Sequence, residues 1–242
     1  MTSEVIDLNS EDTGCEEVGD FPLQLRYAVG GLLGDHPVVC GGFDLGTNIA
    51  SNKCYKLDET KQYTEFATMQ KPRYHAGIIP HEKGLWITGG ENDYAPRTTT
   101  TEFILASGNS TRGPDLPSGL MKHAMSKLNS STSMIIEGNS YETWYFDHNT
   151  ELFSEGPRLL EKRSGHTAGL IKDSVYTEEQ RILVAGGRPG PDLPSVEWLV
   201  SGTWEQGNSN HVNTSQNILP KILAKGQLIS KQDCRAITSP KK

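Results

Sequence analysis

The chain has 242 residues, 35% of them hydrophobic, with a mean hydropathy of −0.51 and a formal net charge of −7. That is enough for one substantial domain, and no apolar run reaches the roughly 18 residues of a membrane-crossing helix, so no membrane span is expected. Seven of the 30 acidic residues fall in the first twenty positions, which hold no Lys or Arg and leave 23 acidic against 23 basic residues in the rest. The charge therefore belongs to a tail expected to be disordered over 1–20, and nucleic acid is not an expected partner.

Beyond the tail, short runs rich in β-branched and aromatic residues, bounded by Gly, Pro, Asn and Asp, predict strands. In chain order the first four are AVGGLL from Ala28, PVVCGG from Pro37, NKCYKLD from Asn52 and QYTEFATM from Gln62. HAGIIP from His75, LWITGG from Leu85 and TTTTEFIL from Thr98 follow, with a weaker strand near the Gly113–Pro117 turn. AMSKL from Ala124, SMIIEG from Ser133, ETWYFD from Glu142 and ELFSEG from Glu151 make a third set. TAGLI from Thr167, ILVAGG from Ile182, VEWLV from Val196 and a strand around Trp204 make a fourth.

The second run of each set ends on a glycine pair, replaced by Glu-Gly in the third, and the first position of that pair recurs at Gly41, Gly89, Glu137 and Gly186, at intervals of 48, 48 and 49 residues. Ala28, Ala76 and Ala124 each lie 13 residues before that position, whereas Ala168 lies 18 before Gly186 because KDSVYTEEQ lengthens one turn. Such an insertion is tolerated where turns lie on the surface. Leu219–Ser230 lines up with Leu116–Leu128, as a fifth unit (216–230) that begins and stops after one strand. The last residues, 231–242, read as a disordered basic tail.

On this period near 50, with a double glycine closing a β-rich run, the chain from Phe21 to Gly207 resembles the kelch-repeat family. Arg163–Gly169 and Lys71–Gly77 look like the family's approach to its inner strand. Tyr55 sits at the third-strand tyrosine, with Phe103, Tyr145 and Trp198 as substitutes. Trp204 sits at the fourth-strand tryptophan, with Tyr63 and Phe153 standing in. The resemblance implies an all-β, kelch-type β-propeller of about four four-stranded blades (about 21–70, 71–118, 119–161 and 162–207) plus one extra strand. Kelch-type propellers generally have five or more blades. Either the extra strand closes a small ring, or the chain is truncated and the ring incomplete, which is the favoured reading; open blade faces would then self-associate.

No nucleophile elbow, phosphate-cradling loop or paired-cysteine zinc motif occurs, so neither catalysis nor a cofactor is expected. His75, His123 and His166 recur near the inner strands, one per blade. Their match to a common kelch consensus histidine makes them structural rather than metal ligands, and no metal is assigned. The resemblance implies a non-catalytic module that presents inter-strand loops to a protein ligand, as in ubiquitin-ligase substrate adaptors. In the family the turn before each inner strand faces the central channel, which makes Arg26, Arg73, Lys122 and Arg163 candidate ligand-binding residues for an acidic peptide. The competing reading is that an arginine there braces neighbouring blades. Val5, Ile6 and Leu8, followed by Ser10, Glu11 and Asp12, resemble a SUMO-interacting motif that adds to a sheet edge.

The N-terminus lacks the basic start and apolar core of a secretory signal, which makes the cytoplasm the default location. Against it, Cys40 and Cys54 fall on consecutive strands as candidate disulfide partners, and sequons occur at Asn109, Asn129 and Asn213. The alternative is therefore a secreted kelch or galactose-oxidase-like glycoprotein with a Cys40–Cys54 bridge.

Overall fold

Strands alone build the described part of the molecule: the computed structural model describes residues 3–6, 15–172, 180–187 and 195–207, with no helix among them. β1 (Ser3–Ile6) and β2 (Cys15–Val18) pair antiparallel. The expectation of an unstructured tail over 1–20 is corrected at these two segments, where the ladder satisfies their backbone groups.

The first unit contains β3 (Leu25–Arg26), β4 (Val29–Leu33), β5 (His36–Cys40), β6 (Phe43–Asp44), β7 (Ile49–Ala50), β8 (Lys53–Leu57) and β9 (Tyr63–Thr68). Strands β4, β5, β8 and β9 form a four-stranded meander, and β3, β6 and β7 a small separate sheet. The second unit is a meander of β10 (Gly77–His81), β11 (Gly84–Thr88), β12 (Thr101–Ile104) and β13 (Ser110–Arg112). Its fourth strand thus precedes the turn near which the sequence placed it. The third comprises β14 (Ala124–Lys127), β15 (Thr132–Ile136), β16 (Thr143–Asp147) and β17 (Leu152–Glu155). The fourth comprises β18 (Thr167–Lys172), β19 (Gln180–Ala185), β20 (Val196–Val200) and β21 (Thr203–Gln206). The partial fifth unit at 216–230 and the tail at 231–242 lie outside the described residues.

First strands of successive units touch, β4 to β10, β10 to β14 and β14 to β18, so they line the inside and the meanders radiate as propeller blades. Apolar cores fill the gaps between blades. Val38, Cys40, Cys54 and Met69 of the first blade meet Leu85, Ile87 and Ile104 of the second. Trp86 and Phe103 of the second meet Ile135 and Phe146 of the third. Met134 and Ile136 of the third meet Ile182, Val184 and Trp204 of the fourth. Strand alternation explains the division: in β15, Ile135 faces back while Met134 and Ile136 face forward. Middle strands covered on both faces need no polar side, hence the fully buried Leu85-Trp86-Ile87 run.

The glycine pairs are a backbone requirement. Their second members, Gly42, Gly90 and Gly187, have φ of +98°, +93° and +96°. A Cβ on Gly42 would stand 2.9 Å from that of Ala28. In the third blade Glu137-Gly138 avoids positive φ and Asn139 takes it instead (φ 63°). Freed from that constraint, the Glu137 carboxylate accepts from Trp144 Nε1 at 2.8 Å and Ser118 Oγ at 2.9 Å.

Candidate functional site

Two residues before each inner strand, the backbone enters the left-handed region: Tyr27 (φ 59°), His75 (54°), Lys122 (54°) and Gly165 (69°). The four are linked from blade to blade. His75 N–H donates to Tyr27 O at 3.0 Å, Lys122 N–H to His75 O at 2.9 Å, and Gly165 N–H to Lys122 O at 3.0 Å. Each non-glycine residue so held costs roughly 1–3 kcal/mol and persists because neighbouring bonds over-determine it. This hydrogen-bonded arc defines one end of the inner channel, its mouth. It also corrects the alignment on alanines: Ala28 and Ala76 match His123 and His166, each next after an arc residue, rather than Ala124 and Ala168.

By the same register, Arg73 and Arg163 correspond to Leu25 and Leu120, not to Arg26 and Lys122. The expectation that all four basic residues ring the mouth is therefore corrected. Arg73 is 1% exposed. Its Nη1 donates to Gly89 O (2.7 Å) and Thr100 O (2.9 Å), and its Nη2 to Glu102 Oε1 (2.7 Å). Glu102 in turn accepts from Gln70 N–H, Lys71 N–H and Ser110 Oγ, clipping the chain leaving the first blade onto the second. Burial pulls the Arg73 pKa below its usual value, and the Glu102 charge opposes the shift.

The fourth blade repeats the device. Arg163, fully buried, donates from Nε to Glu197 at 2.9 Å and from Nη1 to Gly186 O and Ser195 O, both at 2.9 Å, while Glu197 accepts from Leu160 and Glu161 N–H. Both arginines act as braces: they are buried and turn their guanidinium groups onto their own blade rather than toward the channel. Cross-strand register shows what replaces the ion pair elsewhere. Tyr55 and Trp144 occupy the Glu102 and Glu197 position, opposite Leu25 and Leu120. Ion pair and apolar pair alternate around the arc. The register also places Phe103, Tyr145 and Trp198 level with Lys56, one residue from Tyr55 and on the other face, so they are not its substitutes.

Arg26 is exposed and Lys122 half-buried. Around them the mouth is aromatic and of mixed charge. Tyr27, 54% exposed, lies with its ring 3.9 Å from His75; Phe43 meets Tyr74 at 5.6 Å. His75 Nδ1 is 2.5 Å from Glu91 Oε1. Burial lowers the His75 pKa and the Lys122 charge adds to this, against the Glu91 bond. Burial raises the Tyr74 pKa, helped by Glu91 and Asp93. Asn92 Oδ1 accepts from Tyr94 and Ala95 N–H, fixing a turn that presents Tyr94 at 93% exposure. On the third blade Tyr141 is flanked by Arg158 (5.7 Å) and Lys162 (5.4 Å). The sequence did not signal this cluster, since Tyr27, Tyr74 and Tyr94 share no repeat position.

His123 and His166 are buried between blades, and His123 Nε2 is 2.8 Å from Thr88 Oγ1. Among the described residues no three His, Cys, Asp or Glu side chains converge as metal ligands. Cys40 and Cys54 face each other across β5 and β8 and are joined as a disulfide. Val5 and Ile6 lie in β1, whereas Leu8 falls outside the described residues.

No family model matches the chain. It is similar to Kelch-like protein 36 of Rattus norvegicus, 24% identical over 168 residues covering 65% of this chain and 27% of that protein. Kelch-like protein 36 of Mus musculus matches with the same identity and coverage. The chain thus spans about a quarter of the length of these curated relatives. Among solved structures, that of YjhT superposes with a TM-score of 0.74 at 12% identity, over 86% of this chain and 77% of that one, a likeness of fold.

Proposed function

We propose that the chain, a kelch-type β-propeller, is a non-catalytic module that binds a protein or peptide at the mouth of its inner channel. One observation carries this reading: exposed Tyr27 stands beside Tyr74 and His75, with Phe43 against Tyr74, on a backbone locked by blade-to-blade hydrogen bonds, and the turn after Glu91 presents Tyr94 to solvent. Aromatic side chains on a rigid support bring large contact area at small entropic cost, the usual make-up of a protein-binding hot spot. Arg26 and Lys122 would take carboxylates of the ligand, while Glu91 and Asp93 favour one that also carries a basic group. Arg73 and Arg163 are committed to their carboxylates and His123 Nε2 to Thr88, which supports a structural role for these three rather than chemistry. A substrate-adaptor role, drawn from ubiquitin-ligase adaptors of this family, belongs to this proposal, as does self-association through the forward face of the fourth blade.

Tyr27→Ala with Tyr94→Ala tests it, because both side chains are exposed and the fold does not need them. The expected result is at least tenfold weaker capture of the protein retained from an extract of the source, with melting unchanged within about 2 °C. Unaltered capture refutes the reading. A second reading, an extracellular or lumenal protein instead of a cytoplasmic one, is favoured by the Cys40–Cys54 bond, since such bonds persist in oxidising compartments.

A further inference from the structure

The inner strands run away from the mouth, so the turn joining first to second strands and the turn joining third to fourth strands both lie at the far end of each blade. Asn109 closes the turn between β12 and β13, and Asn129 opens the turn between β14 and β15. Both are exposed, and each begins an acceptor tripeptide, Asn109-Ser110-Thr111 and Asn129-Ser130-Ser131. Among the described residues no other asparagine does so. Asn139, exposed on the mouth side, is followed by Ser-Tyr, and Asn92 by Asp-Tyr. The acceptor tripeptides are thus confined to the face opposite the aromatic cluster.

We propose that Asn109 and Asn129 are N-glycan acceptors that coat the far face and leave the mouth bare. The inference rests on the second of the two readings of compartment. Transfer from a lipid-linked oligosaccharyl pyrophosphate forms a bond from the amide Nδ2 to the anomeric carbon and breaks that carbon's bond to the pyrophosphate oxygen. The leaving group keeps the electron pair, and the amide gives up one proton to a base of the transferase. The local geometry suits both sites. Asn129 Oδ1 accepts from Ser131 N–H (2.9 Å), Ser131 Oγ (3.0 Å) and Thr132 N–H (2.8 Å), which brings the required hydroxyl onto the amide group. Asn109 sits in a tight turn closed by its own carbonyl, which accepts from Leu105 N–H at 2.9 Å, and its Nδ2 touches Ser107 Oγ at 3.2 Å. Both turns stand clear of the ladders, so a bulky substituent displaces no strand.

The test uses the full chain purified from its source. Amide-linked glycans are released enzymatically in heavy-oxygen water, which converts a glycosylated asparagine to labelled aspartate, and the peptides are read by mass spectrometry beside the Cys40–Cys54 peptide. The expected result is label at both 109 and 129 with the cysteines linked. Linked cysteines with unlabelled Asn109 and Asn129 overturn the proposal while leaving the compartment reading standing, and label at one position alone overturns it for the other. Reduced cysteines with no label overturn both. In a secreted preparation, Thr111→Ala and Ser131→Ala, which leave each asparagine in place, each remove one glycan; glycans retained in both variants refute the assignment.

Discussion

Arg73→Leu removes one partner of an ion pair in which Arg73 is 0% and Glu102 3% exposed at the side chain. It also strips a donor from Gly89 O and Thr100 O. Breaking a buried pair in this way costs about 3–5 kcal/mol. For a domain of this size that is a fall in melting temperature of roughly 6–20 °C. The fold itself indicates the repair, because the first and third blades place leucine and an aromatic at these two positions. Arg73→Leu with Glu102→Tyr recreates the Leu25–Tyr55 arrangement. Gln70 and Lys71, which lose their acceptor, lie at the surface where water replaces it. The double variant is therefore expected to be more stable than Arg73→Leu alone, with a coupling of about 2 kcal/mol or more in a double-mutant cycle. Urea unfolding of the four proteins measures this. Additive losses, or an Arg73→Leu effect below about 0.5 kcal/mol, would show that the guanidinium is not a brace and return it to the candidate binding residues.

Three further outcomes are expected. His123, held at about 3 by burial and the charges of His166 and Arg73, and His166, held at about 4 by burial and Arg163, are neutral in the fold but titrate near 6.5 once unfolded. The unfolded chain then binds more protons, so stability is full above 6.5 and declines as pH falls toward the folded values; a urea midpoint flat from about pH 6.5 to about 5 contradicts this. Opening the Cys40–Cys54 bond, which closes a separation of 14 residues, by a Cys40→Ala and Cys54→Ala double variant costs about 3 kcal/mol, and thiols alkylated before reduction would deny the bond. Lys83→Ala, which breaks the exposed pair with Glu151, changes stability by less than about 1 kcal/mol, and a loss comparable to that of Arg73→Leu would undo the contrast between buried and exposed pairs.

Blade architecture was legible because it is written in spacing. The glycine pairs stand where φ near +95° and the closeness of Ala28 to Gly42 exclude a side chain, and that φ recurs in the first, second and fourth blades. The cysteine pair was legible for a related reason, since strand alternation puts Cys40 and Cys54 opposite each other. The fate of the arginines was not. In the register of the arc Arg26 stands one residue, and Lys122 two residues, past the position that Arg73 and Arg163 occupy, so neither falls on the buried site. Matching alanines absorbed these offsets silently, and only the positive-φ arc revealed them. The aromatic cluster was equally hidden, because Tyr27, Phe43 and Tyr74 come from different segments of the chain and meet only once two blades are packed.

Hydrogen exchange on the full chain, alone and bound to the protein it captures, measures the location of binding most directly. The account predicts slowed exchange at the arc and its loops, over Tyr27, His75, Lys122 and the Glu91–Tyr94 turn. Slowing confined to the outer strands β9, β13 and β17, or to the far turns that carry Asn109 and Asn129, would contradict it.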